Sequence, residues 1–266
     1  MSRNDHSEAK YPIEIEQAHG LVAGDYAHVE QHFHAAPPPA PPASQDELLA
    51  AIHQASAELR TYATDIAGVH IERAEMAQIV EWVQNADPKE RLGMLLDQPG
   101  SGKTVVMHDV LVALESARAP TLAIKADMLS GIRTRSELAD RLGLPAPVEE
   151  CVRALAGEHD LVVVILDQLD ALSLALSRDQ ATLDVMLSTL TRLRNVERVR
   201  IVASCRTFDL NNDPRLSTVK VDHRFRLRPL NAEQIKLVLQ QVGVTYESLL
   251  PAHQQLLSVP LHLEVY

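Results

Sequence analysis

The chain has 266 residues, enough for one large domain or two small ones with a sizeable core. Its 36 acidic and 25 basic side chains give a formal net charge of −11, which argues against non-specific binding of nucleic acid because such binding needs Lys and Arg to neutralise phosphates. Aromatic residues make up only 3% of the chain, so a core would be built mainly from Leu, Val, Ile and Ala.

The sequence shows no sign of export or of a membrane anchor. The N-terminus lacks the apolar stretch of a signal peptide, and the longest aliphatic run, at residues 161–166, is far shorter than a membrane helix. The two cysteines, Cys151 and Cys205, match neither a zinc spacing nor a disulfide framework, which is typical of a reducing compartment. We therefore expect a cytoplasmic protein with no membrane partner.

The first 43 residues divide into two parts. Residues 1–35 form a polar leader, in which a short alternating stretch and a Gly24-Asp25 turn predict a β-hairpin. Five of the fifteen prolines then fall within residues 37–42, so residues 36–43 are predicted to be a stiff, proline-rich linker.

Residues 44–90 are predicted to be a helical segment that leads into the main domain. A capping-box pattern, in which Glu47 follows Ser44 by three residues, starts the first helix. A second helix is predicted to follow Arg73. The first helical pattern has an apolar stripe formed by Leu48, Leu49, Ile52, Leu59 and Ile66, and the second has one formed by Met76, Ile79, Val80 and Val83.

From residue 91 to residue 228, short aliphatic runs alternate with helical stretches. The predicted strands are residues 93–96, 121–126, 161–166, 199–204 and 224–227. Strands that alternate with helices indicate an α/β domain with a mostly parallel sheet covered on both faces. After Pro229 the pattern is helical only, so residues 229–266 are predicted to form a small helical appendix.

A glycine-containing turn joins the first of these strands to a helix, in the sequence DQPGSGKT at residues 97–104. A phosphate group needs backbone N–H donors in a concavity and the positive end of a helix dipole, and this pattern supplies both. Lys103 would reach the β- and γ-phosphates, and the Thr104 hydroxyl would bind Mg²⁺. The predicted ATP or ADP site therefore includes Pro99, Gly100, Ser101, Gly102, Lys103, Thr104 and Val105.

One residue departs from the usual phosphate-loop pattern, which begins with Gly where this chain has Asp97. A carboxylate near a polyphosphate is unfavourable unless its side chain turns away. Because Asp tolerates unusual turn dihedrals, we expect a perturbed but working loop.

The third predicted strand ends in carboxylates, in the sequence LVVVILDQLD at residues 161–170. A buried parallel strand delivers its C-terminal residues to the edge of the sheet where ligands bind. Asp167 is placed to hold Mg²⁺ through water. Gln168 stands where many ATPases have a Glu that orients the attacking water, so Asp170 is the candidate for that task.

The fourth predicted strand ends at Arg206, which would lie beside the nucleotide and contact the γ-phosphate through a bidentate pair. The alternative is a surface arginine that pairs with Asp209 or Asp213. Cys205 has no accompanying His and Asn of a catalytic thiol, so we interpret it as structural.

Several motifs in this order resemble the STAND-class, NACHT-like signal-transduction ATPases, particularly bacterial ones. The motifs are DQPGSGKT, VVVILDQLDALS, VASCRTFDLNNDPRL, RPLNAEQIKLVL and LLSVPLHL, and together they cover roughly residues 66–266. Residues 69–73 are similar to the family's hydrophobic-x-x-Arg motif, which implies that Arg73 lies near the adenine. The resemblance implies a parallel sheet of order 5-1-4-3-2, with strands numbered in chain order, and a helical lid whose Pro260 approaches the base.

The resemblance also implies a function. Such ATPases are switches that are closed with ADP and form homo-oligomers with ATP, and hydrolysis resets them. A protein effector or sensor is implied as a partner, and many bacterial members defend against phage. Family members continue into further domains where this chain stops at Tyr266, so the lid is expected to be truncated.

Two other functions stay open at the level of sequence. A non-hydrolysing, nucleotide-bound scaffold would fit Gln168 and the missing sensor. A DNA-associated AAA-type ATPase would share the phosphate loop, although the acidic charge counts against nucleic acid as a partner.

Overall fold

The computed structural model describes residues 43–173 and 180–266. The hairpin predicted in the leader and most of the proline-rich linker lie outside the described residues.

The predicted capping box starts the first helix. The Ser44 hydroxyl accepts a hydrogen bond from the Glu47 N–H at 3.3 Å, and the Glu47 carboxylate accepts one from the Ser44 N–H at 2.7 Å. The helix that follows, α1, spans Gln45–Ala55, and the short helix α2 spans Ala57–Arg60. Both bury leucine or isoleucine side chains, as the stripe predicts.

The prediction that the same helical stripe continues to Ile66 is wrong. Two short strands, β1 (Asp65–Ile66) and β2 (Val69–His70), pair here as an antiparallel hairpin. The two residues between them have positive φ values, 50° at Ala67 and 76° at Gly68. Two consecutive residues of positive φ form the hairpin turn whose twist matches that of the strands. The helix predicted after Arg73 follows as α3 (Ala74–Asn85).

A five-stranded, all-parallel sheet forms the centre of the domain. Its strands are β3 (Leu92–Asp97), β4 (Thr121–Lys125), β5 (Val162–Asp167), β6 (Val199–Arg206) and β7 (His223–Arg226). Their order across the sheet, β4-β5-β6-β3-β7, is the predicted 5-1-4-3-2 read from the other side. The α/β fold with this sheet is therefore confirmed.

Helices cover both faces of the sheet, because alternate side chains of each strand point to opposite faces. The remaining helices are α4 (Lys103–Ser116), α5 (Arg135–Leu142), α6 (Val148–Glu158), α7 (Gln180–Leu193), α8 (Thr207–Asn212), α9 (Ala232–Gln241), α10 (Pro251–Leu256) and α11 (Pro260–Val265). One core joins α1 and α5–α8 to the sheet, and a second core joins α2–α4 to its other face.

A third, smaller core joins the β1–β2 hairpin to the C-terminal helices. Ile66 and Val69 of the hairpin pack there with Leu263 of α11 and with residues of α9. The hairpin therefore gives the C-terminal helices a place to pack beside the main sheet. Within the described residues, no helix is long and apolar enough to cross a membrane.

Asp222 fixes the start of the central strand β3. Its Oδ2 accepts hydrogen bonds from the N–H groups of Arg91, at 2.9 Å, and Leu92, at 3.0 Å, and Arg194 pairs with the same carboxylate at 2.9 Å. Partial burial would raise the pKa of the Asp222 carboxyl, but the two backbone N–H groups and Arg194 outweigh it and lower the pKa. The folded state therefore binds the ionised carboxylate in preference to the acid.

Replacing Asp222 with Ala is expected to lower the free energy of unfolding by about 2 kcal/mol at neutral pH, because two backbone donors lose their acceptor. The pKa of Asp222 is lowered on folding, so its contribution is present above the unfolded pKa and is lost as the pH falls through the folded pKa. Urea unfolding at neutral and acidic pH measures both effects. Asp184→Ala removes an exposed partner of Arg215 and should cost less than about 0.5 kcal/mol; equal costs for the two variants would contradict the role of Asp222.

Candidate functional site

The ends of β3, β5 and β6 lie beside a cavity of about 400 Å³. Open α/β sheets bind ligands outside the carboxyl ends of their strands, at such a point. The cavity is lined by every residue predicted to bind nucleotide: Arg73, Pro99, Gly100, Ser101, Gly102, Lys103, Thr104, Val105 and Pro260. Asp170 and Arg206 also line it, whereas Asp167 is fully buried and is not part of its wall.

The loop between β3 and α4 curls because two of its glycines adopt backbone angles that other residues rarely adopt. Gly100 has φ +75° and Gly102 has φ +93°. The Ser101 hydroxyl donates a hydrogen bond to the Gln98 carbonyl at 2.9 Å, which closes the turn. Helix α4 then begins at Lys103, so its free N–H groups and its positive dipole end lie at the cavity.

Lys103 is a buried cation held by the loop itself. Its side chain donates hydrogen bonds to the carbonyls of Gln98, at 2.8 Å, and Asp97, at 3.2 Å. Burial lowers the pKa of Lys103, while the negative charges of Asp170 and Asp97 oppose that shift. Its described partners are neutral carbonyls together with these nearby carboxylates, so an anion in the cavity would stabilise the ammonium.

Asp97, which replaces the usual first glycine, is the last residue of β3. It does not line the cavity and contributes instead to an adjoining groove, which shares Pro99 and Arg206 with the cavity. The Asp97 carboxylate is therefore not one of the groups that line the predicted phosphate site, although its charge acts on Lys103 and Arg73.

Asp167, the last residue of β5, is a buried carboxylate with one unbonded oxygen. Its side chain has no exposed surface, its Oδ1 accepts a hydrogen bond from the Ser204 hydroxyl at 2.5 Å, and its Oδ2 has no hydrogen-bond partner within the described residues. The Lys125 ammonium lies 3.9 Å from that Oδ2. Burial raises the pKa of Asp167, while Ser204, Lys125 and Thr104 oppose that shift.

This arrangement fits a magnesium ion. Mg²⁺ is bound in nucleotide sites by one or two carboxylate or hydroxyl oxygens, by water and by phosphates, and Thr104 and the free oxygen of Asp167 offer this donor set. No group of three or more His, Cys, Asp or Glu side chains suited to a metal occurs in the described residues.

Gln168 lies between the two carboxylates in an unusual conformation. Its φ is +61°, and its side-chain amide donates a hydrogen bond to the Thr104 hydroxyl at 3.3 Å. Its N–H donates to the Ser204 hydroxyl at 2.8 Å, the same hydroxyl that holds Asp167. Gln168 therefore links the predicted magnesium ligands to β6.

Asp170 and Arg206 form an ion pair in the wall of the cavity. The Nε of Arg206 lies 2.9 Å from Oδ2 of Asp170, and the Arg206 N–H donates to Oδ1 at 3.0 Å. Burial raises the pKa of Asp170, while Arg206 and Lys103 oppose that shift. The two residues were predicted separately, and the arginine was given Asp209 or Asp213 as alternative partners. In the structure Arg206 pairs with Asp170.

Arg73 ties the loop to the end of β7. It is buried, its Nη1 donates to the Ser101 carbonyl at 3.3 Å, and its Nη2 donates to the Arg228 carbonyl. Glu75, which the sequence analysis missed, accepts a hydrogen bond from the Arg228 N–H at 2.9 Å and lies 3.8 Å from Arg73. Burial lowers the pKa of Arg73, and the negative charges of Glu75 and Asp97 oppose that shift.

The C-terminal helix α11 begins directly on the phosphate loop. The Leu261 N–H donates to the Gly100 carbonyl at 3.2 Å. The side chain of Leu261 is so close that a Cβ on Gly100 would lie 2.7 Å from its Cβ. Pro260 lies beside Gly102, where an added Cβ would be 3.5 Å from its Cγ. Pro260 was predicted, whereas Leu261 was not, because nothing in its sequence context distinguishes it from a core leucine.

Another part of the cavity wall comes from residues that no sequence motif indicates. Tyr62, Ile66 and Ile71 lie there together with Leu230 and Glu264. Burial raises the pKa of Tyr62, and its ring faces the Lys125 ammonium at 5.1 Å. Apolar side chains in this wall suit the flat, apolar base of a nucleotide.

No known protein-family profile and no curated protein matches this chain. Among solved structures, a Walker-type ATPase of Pyrococcus abyssi is similar, with 15% identity, a TM-score of 0.53, and coverage of 78% of this chain and 69% of the ATPase. A DNA replication initiation factor matches with 16% identity and a TM-score of 0.42, over 64% of this chain and half of the factor. The first likeness shows a shared fold, which is that of P-loop NTPases.

Replacing Leu261 with Asp is expected to loosen α11 from the phosphate loop, because the leucine is 47% exposed and buries the rest of its side chain. Burying half of a leucine side chain contributes about 1 kcal/mol of free energy. Losing that contribution makes local opening of the helix, and therefore exchange of its amide hydrogens, roughly fivefold faster. Hydrogen exchange at the backbone amides of residues 261–265 measures this change. Val265→Asp, at an 80% exposed position of the same helix, is the control; equal exchange in both variants would mean that Leu261 does not hold the helix.

Proposed function

We propose that this chain is a nucleotide-dependent switch that binds Mg-ATP and ADP and hydrolyses ATP slowly. The single observation that carries the proposal is the phosphate loop, whose buried Lys103 and whose Thr104 line one cavity. Asp167, which has one unbonded oxygen, is buried at the end of the neighbouring strand β5. The contact of α11 with that loop supports a switch. A nucleotide bound by the loop would change the surroundings of the helix that contacts the loop.

In the proposed switch, the phosphates of the nucleotide are bound by the backbone N–H groups of Gly100–Thr104 and by the Lys103 ammonium. Lys103 exchanges its two carbonyl partners for charged phosphate oxygens, and hydrogen bonds between charged groups are the stronger ones. Gly100 and Gly102 keep side chains out of the concavity. Arg73 holds the loop in this shape through the Ser101 carbonyl.

Thr104 and Asp167 would hold Mg²⁺, with Gln168 and Ser204 fixing the directions of their oxygens. When bound, the ion neutralises phosphate charge and orients the phosphates for reaction. Lys125 lies close to Asp167 and balances part of its charge.

Asp170 and Arg206 are placed to act on the terminal phosphate. Arg206 uses its Nε to bind Asp170, and its two Nη groups have no hydrogen-bond partner within the described residues, so they can contact an anion in the cavity. Asp170 would orient the attacking water. Because Asp170 is ion-paired and its neighbour Gln168 is neutral, we expect slow hydrolysis.

The resemblance to STAND-class ATPases extends the proposal to the whole protein. It adds homo-oligomerisation in the ATP state, a protein effector or sensor as a partner, a cytoplasmic location and a signalling function such as defence against phage. A DNA-associated ATPase would use the same residues at the nucleotide, so the site itself favours neither class.

Lys103→Ala is expected to abolish measurable binding of Mg-ATP in calorimetry, because the phosphates lose their buried cation. Lys220→Ala, at an exposed lysine outside the cavity, should bind ATP like the wild type. Equal affinities of wild type and Lys103→Ala would contradict the assignment.

The same variants separate the switch from a non-hydrolysing scaffold. A switch releases phosphate from ATP slowly but above the level of Lys103→Ala. A scaffold binds nucleotide equally well, yet its phosphate release does not exceed that of the variant.

A further inference from the structure

The strand β7 forms one edge of the sheet, and within the described residues it pairs only with β3. Near its end, the N–H of Arg228 is bound by Glu75 and its carbonyl by Arg73, so the outer side is closed there by side chains. Alternate residues of a strand direct their backbone groups to the same side. The N–H and C=O groups of Arg224 and Arg226 therefore also point away from β3, and no described residue binds them there.

Three arginines on this edge have no partner. Arg224, Arg226 and Arg228 are exposed, and their side chains form no ion pair or hydrogen bond within the described residues. Side chains at alternate positions of a strand share one face, with a spacing of about 7 Å. A chain of net charge −11 thus carries a row of free positive charge along an open sheet edge.

The other face of the same edge carries a groove with aromatic side chains at its centre and polar side chains around them. His223 and Phe225 alternate with the arginines. Their ring centroids each lie 5.9 Å from that of Trp82 in α3 and 4.5 Å from each other. Trp82 and Phe225 are largely buried, and their edges form the wall of the groove between α3 and β7. The remaining lining residues are Gln78, Glu81, Asn85 and Ala86.

We propose that this edge of β7 binds a peptide strand in which acidic and aliphatic side chains alternate. The strand would add to the sheet through the free backbone groups at Arg224 and Arg226. Its acidic side chains would lie beside the arginines, and its aliphatic side chains would enter the groove at Trp82. Strand addition of this type takes affinity from the backbone and specificity from alternate side chains.

The free backbone groups and the groove favour a peptide over nucleic acid. A phosphate backbone would pair with the arginines but would leave the edge N–H and C=O groups and the aromatic groove without partners. A row of charge that only prevented edge-to-edge aggregation would need no groove on the opposite face.

The peptide Ile-Glu-Ile-Glu-Ile-Glu, labelled with a fluorophore, is the probe. Anisotropy measures its binding to the full chain, and the emission of Trp82, the single tryptophan, reports occupancy of the groove. We expect binding that shifts Trp82 emission, and a loss of affinity of about tenfold or more in Arg224→Glu/Arg226→Glu. Arg133→Glu/Arg153→Glu changes the same charge at exposed positions elsewhere and should bind like the wild type.

Two further probes test the wild-type chain and do not depend on the folding of a variant. The peptide with Lys in place of Glu, and the acidic peptide with alternate backbone N-methyl groups, should both bind at least about tenfold more weakly. Equal binding of the acidic and the methylated peptide, equal loss in the two charge-reversed variants, or arginine-dependent binding of oligo-dT without binding of the peptide would each overturn the proposal.

Discussion

The burial of charge at one edge of the sheet is the constraint on which the rest of this structure depends. Lys103, Arg73 and Asp170 are buried in the cavity wall, and Asp167 is buried at the end of β5. Each needs partners because an isolated buried charge is costly, and Arg206 is the partner of Asp170. Most of these groups are satisfied by one another or by backbone carbonyls. Lys103, held mainly by two neutral carbonyls, and the free oxygen of Asp167 are the least satisfied, and they are the groups that a magnesium-bound polyphosphate would bind.

The helices that cover this edge follow from the same constraint. Gly100 and Gly102 have no side chains, so α11 can approach the loop closely enough for Leu261 to donate to its backbone. Arg73 binds both the loop and the chain just after β7, and Glu75 binds Arg73 and that same chain segment. The small core around Ile66 packs the C-terminal helices against the hairpin. The phosphate loop and the C-terminal helix are therefore in direct contact, so a change in the position of one is expected to affect the other.

Local patterns in the sequence predicted much of this fold. The five strands, the capping box at Ser44 and the phosphate loop each depend on residues close together in the chain, and the strand order came from the resemblance to STAND-class ATPases. The hairpin at residues 65–70 was not predicted because Ile66 also fits the spacing of an apolar helical stripe. In addition, alanine rarely adopts a positive φ, so the residue type at position 67 does not indicate a turn. The partner of Arg206 and the contact of Leu261 with Gly100 join residues 36 and 161 positions apart, which no local pattern encodes.

The most direct measurement of the central claim is a calorimetric comparison of ADP and AMP in the presence of Mg²⁺. The loop N–H groups and Lys103 are placed for a β-phosphate, which AMP lacks. Loss of two hydrogen bonds to a charged group corresponds to about 100-fold weaker binding or more, so we predict at least that difference between ADP and AMP. Equal affinities would contradict the account, because the cavity would then recognise the nucleoside and leave the buried lysine without a function.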